Sequence, residues 1–180
     1  MKKLSALLLL IISVCVNLKA QDHTMSSGSH LRLNINDLVW KDGPASLPAG
    51  AKMAHIEGDM SKAELFTIRL SLPANYKVPP HWHPAIEHVT VIKGAFFMGT
   101  GDQFNEATAI KLSEGAFALM PVKQTHFAYT KKRTIIQLHG MGPWGINYVN
   151  SADDPRKKQI LCLLKPDYFL KIFGTLLFIV

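Results

Sequence analysis

Residues Pro79 to Gly94, PPHWHPAIEHVTVIKG, constrain this chain more than any other stretch. His81 and His83 stand two apart, and Glu87 follows four residues after His83. Alternate residues of a β-strand share a face, so a strand running through this stretch turns all three into one pocket. Neutral imidazoles and carboxylates are ligands for divalent transition metals. Three such donors on one strand need only one more. Val89 and Val91 continue the same parity as apolar residues, and Gly94 ends the segment as turn residues do.

A second stretch, Gly115 to Thr130, GAFALMPVKQTHFAYT, reads as a strand, a Pro-marked turn and a strand beginning near His126. Together the two stretches resemble the paired motifs of the cupin superfamily. The first motif is His-x-His, three or four residues, Glu, six residues, Gly. His81, His83, Glu87 and Gly94 match it throughout. The second is Gly, five residues, Pro-x-Gly, two residues, His, three residues, Asn. Gly115, Pro121 and His126 match, while Lys123 replaces the Gly and Thr130 the Asn. The resemblance implies an all-β, single-domain β-barrel of the double-stranded β-helix or jelly-roll type. It also implies His81, His83, Glu87 and His126 as ligands of one divalent transition metal ion. Cupins with this ligand set use Mn, Fe, Ni, Cu or Zn, so the resemblance leaves the ion open.

The rest of the chain is consistent with one small all-β domain. From Ala51 onward, short apolar or alternating runs recur between turn signals. The expected strands are Lys52–Glu57, Leu65–Leu72, Ile86–Lys93, Ala95–Thr100, Ala116–Met120, His126–Thr130, Thr134–His139 and Ile146–Val149. Such spacing indicates a sandwich or barrel. Asn105 to Ile110 is the one stretch expected to form a helical turn. Residues 21–50 read as an arm with an edge strand near Leu38–Lys41, and residues 51–155 as the barrel domain.

Both ends differ in character. Residues 1–20, MKKLSALLLLIISVCVNLKA, have the anatomy of a secretory signal peptide. Lys2 and Lys3 precede an apolar run from Leu4 to Val16, shorter than the roughly 20 residues that span a bilayer. Val14 before Cys15 is too large for a lipoprotein site. Export to a periplasm or the exterior, with cleavage after Ala20, is the expectation. Residues 156–180 are basic and then strongly apolar, split by Pro166 and Asp167. Three readings fit this tail: a segment lying on a membrane surface, a segment packed on the barrel or in a homodimer, or an extension without a role.

The formal net charge of +7 sits at these ends. Residues 1–20 carry three Lys and no acid, and residues 156–180 five basic residues and one acid. The intervening residues carry twelve of each sign, so the basic-patch signature of a nucleic-acid partner fails. The two cysteines, Cys15 and Cys162, both lie outside the domain, which therefore has no internal disulfide.

Three imidazoles and one carboxylate leave an open position on a five- or six-coordinate ion, the mark of a site that does chemistry or binds a ligand. The resemblance implies a metal-dependent, dioxygenase-type oxidoreductase acting on a small oxygen-bearing molecule. The alternative is a non-catalytic cupin that binds or senses a small ligand, or keeps its metal for structure. The HWHPAIEHVTVIKG stretch is similar to the cupin domain of anti-sigma-factor-type proteins. Those add a zinc-binding helical domain where this chain has its leader. His139, at the end of TIIQLHG, faces the pocket as a catalytic residue if Gln137 points inward, and the outside if Ile136 and Leu138 do. His88 alternates with Glu87 and is expected to face away. Arg69 is expected outside, and Phe97, Met98, Phe127 and Tyr129 in core or pocket walls.

Overall fold

The computed structural model describes residues 30–157. The expected leader (residues 1–20), both cysteines and residues 158–180 of the tail lie outside the described residues. The chain divides into residues 1–31 and 32–180, and the strands all belong to the second unit. The described residues form eleven strands: β1 (Lys41–Asp42), β2 (Lys52–Glu57), β3 (Leu65–Leu72), β4 (Lys77–Trp82), β5 (Glu87–Lys93), β6 (Ala95–Thr100), β7 (Ile110–Ser113), β8 (Phe117–Met120), β9 (His126–Tyr129), β10 (Thr134–Met141) and β11 (Asn147–Tyr148). They form a six-stranded sheet, β1-β2-β3-β10-β5-β8, and a five-stranded sheet, β11-β4-β9-β6-β7. All pairings are antiparallel. This is a jelly-roll arrangement of two antiparallel sheets. Among the described residues, no helix is long and apolar enough to cross a membrane.

The core follows from alternation. Phe66, Ile68, Leu70 and Leu72 of β3 are buried, as are Val89 and Val91 of β5 and Ile136 and Leu138 of β10. They pack against Val78, Phe96, Met98 and Ala128 of the other sheet. Burying one such large side chain contributes about 1.5–3 kcal/mol.

Every expected strand is present within a few residues, and the turn near Asn105 is a 3-10 helix, Glu106–Thr108. The edge strand of the arm lies slightly later, at Lys41–Asp42, on the rim of the larger sheet. Two strands escape a sequence reading. β4 contains Pro79 and Pro80, which cannot donate to a ladder and so argue against a strand. Its pairing with β9 shifts register between Val78 and His81, where those prolines stand. β7 is short and largely exposed, so it carries little hydrophobic signal.

Residues 79–94 are not one strand. β4 ends at Trp82 in the five-stranded sheet, and β5 begins at Glu87 in the six-stranded sheet. His83 lies in the connection between them. The shared parity of His81, His83 and Glu87 is therefore not what brings them together. A turn from one sheet to the other does that.

Two substitutions in the second motif find their explanation here. Lys123 has φ 61°, in the left-handed region that favours glycine. Its N–H donates to the His83 carbonyl at 2.9 Å, so the strained turn supports the connection that carries His83. Thr130 is buried. Its Oγ1 donates to the Pro73 carbonyl at 2.6 Å and accepts the Tyr76 N–H at 3.1 Å. It ties the end of β9 to the chain entering β4.

Candidate metal centre

His81 and His126 stand directly opposite each other on β4 and β9, so the pleat turns both side chains to the same face. His83 reaches that point from the connection after β4, and Glu87 from the first position of β5. All four residues are buried, none more than 6% exposed. The ligand atoms offered by His81, His83 and His126 lie within 4.8 Å of one another. Ring centroids are 4.2 Å apart for His81–His126, 5.0 Å for His81–His83 and 5.2 Å for His83–His126.

Backbone carbonyls fix each ring. His81 Nδ1 donates to Pro79 O at 2.7 Å, His83 Nδ1 to Gly145 O at 2.7 Å, and His126 Nδ1 to Gln124 O at 2.9 Å. A carbonyl can only accept, so Nδ1 carries the proton. In its neutral form each ring then has a bare Nε2. This is the arrangement that orients histidine for metal binding. Glu87 Oε2 lies 3.4 Å from His83 Nε2 and 3.2 Å from His126 Nε2. Neither His83 Nε2 nor Glu87 Oε2 has a hydrogen-bond partner. Lone pairs facing lone pairs in a buried site repel, and a shared proton or cation between them converts repulsion to attraction. The donor set thus fits a divalent ion.

The electrostatics agree. Burial, then the neighbouring His126 and His83, pushes His81 down to about 3, so it is neutral near pH 7. Burial works against the Glu87 carboxylate. Hydrogen bonds from His126 and His83 outweigh that and hold it well below the usual carboxylate range, which requires Nε2–H on those rings; with the rings in the Nδ1–H form, a bound cation would take that part instead. Neutral imidazole and ionised carboxylate are the protonation states that ligation requires.

The cluster lies in a cavity of about 120 Å³. Ile68, Leu70, Val78, Met98 and Leu138 are among its apolar walls, and Pro44, Ser46 and Leu47 of the arm line it too. Ile136 and Leu138 face inward from β10. His139 is thus on the outer face, against the expectation of a catalytic role there. It stacks on His88, its cross-strand partner, at 4.7 Å between centroids. His88 and Arg69 share that outer face as expected, Arg69 donating to Gln137 at 3.0 Å. Met98 lines the cavity, whereas Phe97, Phe127 and Tyr129 alternate to the outer face of their sheet. There Phe97 stacks on Tyr129 and Phe104 covers Phe127.

A sequence reading misses Trp144 and Gly145. Trp144 stacks on His83 at 4.3 Å and 14°, while Gly145 accepts from the same ring. They belong to a loop without periodicity, and an aromatic residue between Pro143 and Gly145 is the only signal it gives.

No family model matches the chain, and no curated protein matches it in sequence. Solved structures do. The polyketide cyclase RemF from Streptomyces resistomycificus is similar at TM-score 0.57 and 16% identity, over 78% of this chain and 97% of that one. A candidate acetylacetone dioxygenase from Methylibium petroleiphilum PM1 is similar at TM-score 0.54 and 15% identity, over 72% and 88%. A chain in the structure of Rhodobacter sphaeroides SigE in complex with the anti-sigma ChrR is similar at TM-score 0.45 and 19% identity, over 59% and 51%. Identities at this level speak to fold alone, and the first two likenesses, together with two jelly-roll sheets closing on a buried histidine cluster, make this chain a protein of the cupin fold.

Proposed function

We propose that His81, His83, Glu87 and His126 hold one divalent transition metal ion. We further propose that the protein is a metal-dependent oxidoreductase of the dioxygenase type, acting on a small oxygen-bearing organic molecule. The observation that carries this is the inward convergence of bare imidazole nitrogens on a buried carboxylate oxygen. Bound there, an ion with an open position supplies polarisation of a carbonyl or a meeting point for O₂ and substrate. The chain's own residues do the rest. Three carbonyls hold the rings in one tautomer, Glu87 supplies one compensating negative charge, and the apolar walls exclude water. The fold shared with the Methylibium protein supports the choice of reaction class. Elemental analysis of the purified protein, followed by an oxygen-uptake screen against diketones and phenols, tests both parts. Stoichiometric metal with oxygen uptake is expected. Metal without uptake on any of them would make the protein a binding or sensing module instead.

We also propose that residues 1–20 direct export. N-terminal sequencing of the protein recovered outside the cytoplasm is expected to begin near Gln21. An intact leader on cytoplasmic protein would refute this.

A further inference from the structure

The cavity restricts what can meet the cluster. Its charged and metal-ligating side chains are His81, His83, Glu87 and His126, and these stand together in one cluster. No Lys or Arg lines it. Besides these four, the only lining residues with a side-chain N or O are Ser46 and Trp144. Trp144 Nε1 is buried and has no hydrogen-bond partner. The Trp144 ring stacks on His83 with centroids 4.3 Å apart, so the residue that carries this donor sits beside the cluster. Buried donors are almost always paired, so an unpaired one on a cavity-lining residue is a candidate partner for a ligand acceptor. An apolar cavity of about 150 Å³ accommodates benzene, so about 120 Å³ sets a scale of about six non-hydrogen atoms.

We infer that the ligand is a compact molecule with an apolar body and one oxygen-bearing end, that this end meets the cluster, and that Trp144 Nε1 donates a hydrogen bond to one of its oxygens. The head end of this inference rests on the proposed metal site. The exclusion of other chemistries does not. A polyol would leave hydroxyls unpaired against Ile68, Leu70 and Met98. A dianion would bring a second charge to walls that hold no cation.

Calorimetric binding of five probes to the full chain tests this, with metal content read on each sample. Butyrate and γ-butyrolactone each carry one oxygen-bearing end. Benzene carries no oxygen, glycerol is polar along its length, and malonate is charged at both ends. The better of the first two is expected to bind at least about tenfold more tightly than glycerol or malonate. Trp144→Phe keeps the stacking ring and removes the donor. It is expected to weaken that probe about tenfold and leave benzene within about twofold. Glycerol or malonate binding as tightly, no probe binding at all, or equal losses for benzene and the oxygen-headed probe would each overturn the inference. If Trp144→Phe does not fold, the order of the probes on the unsubstituted protein decides. Samples without metal would refute the metal site, yet benzene binding with glycerol and malonate excluded would still uphold the cavity's selectivity.

Discussion

At the scale of single residues, the four clustered side chains differ in what they contribute. Replacing His81, His83 or His126 by Ala removes a nitrogen donor and leaves Glu87 facing fewer partners. Loss of even a supporting partner costs metal sites about 10–100-fold in affinity, so each replacement is expected to cost at least that. Glu87→Gln keeps an oxygen donor but removes the charge, and a smaller loss is expected. His88→Ala, on the outer face, is expected to keep full metal content. Equilibrium dialysis with elemental analysis checks the series, and His88→Ala losing metal while His83→Ala keeps it would refute the assignment. Lys123 offers a separate test. A non-glycine residue at positive φ costs roughly 1–2 kcal/mol, against a smaller entropic cost for glycine. Lys123→Gly is therefore expected to stabilise the protein by about 1 kcal/mol in chemical denaturation.

At the scale of elements, the strands with strong alternation were legible and the interrupted ones were not. β3 and β10 declare themselves because their buried faces repeat every second residue. β4 hides behind Pro79 and Pro80. For β10 the sequence left two faces open, because His139 and Leu138 both suit a pocket. Packing chose Leu138, whose apolar side chain gains by burial while His139 keeps contact with solvent. The motif residues were legible as a group, but the turn that unites them was not, since periodicity carries no information across a change of sheet. The β6–β9 ladder gives an element-level prediction. Gly99 stands opposite Phe127, and a Cβ there would overlap the ring. Phe127 is fully buried beneath Phe104 and has little room to retreat. Gly99→Ala is expected to destabilise by about 1–3 kcal/mol, read as a lower denaturation midpoint with metal content per folded protein unchanged.

At the scale of the whole molecule, fold and candidate site share one set of groups. His81 is held down to about 3 from an ordinary 6.5, so the folded chain takes up its proton less readily than the unfolded chain does. Stability from this residue is complete above about 6.5 and declines as pH falls towards about 3. Metal-free protein is therefore expected to show a falling thermal midpoint across that window. His81→Gln, which cannot titrate, is expected to flatten the slope. An equal slope in both would place the acid sensitivity elsewhere. The route of the chain through the site has a mechanical meaning. His81 and His126 belong to one sheet and Glu87 to the other, with His83 on the strap between them. A single ion held by all four would be a staple through the sandwich, in a domain whose residues 21–155 contain no cysteine to do that work. Prying the sheets apart and releasing the ion would then be one event, and the rate of metal escape into a chelator would serve as a clock for the breathing of the barrel.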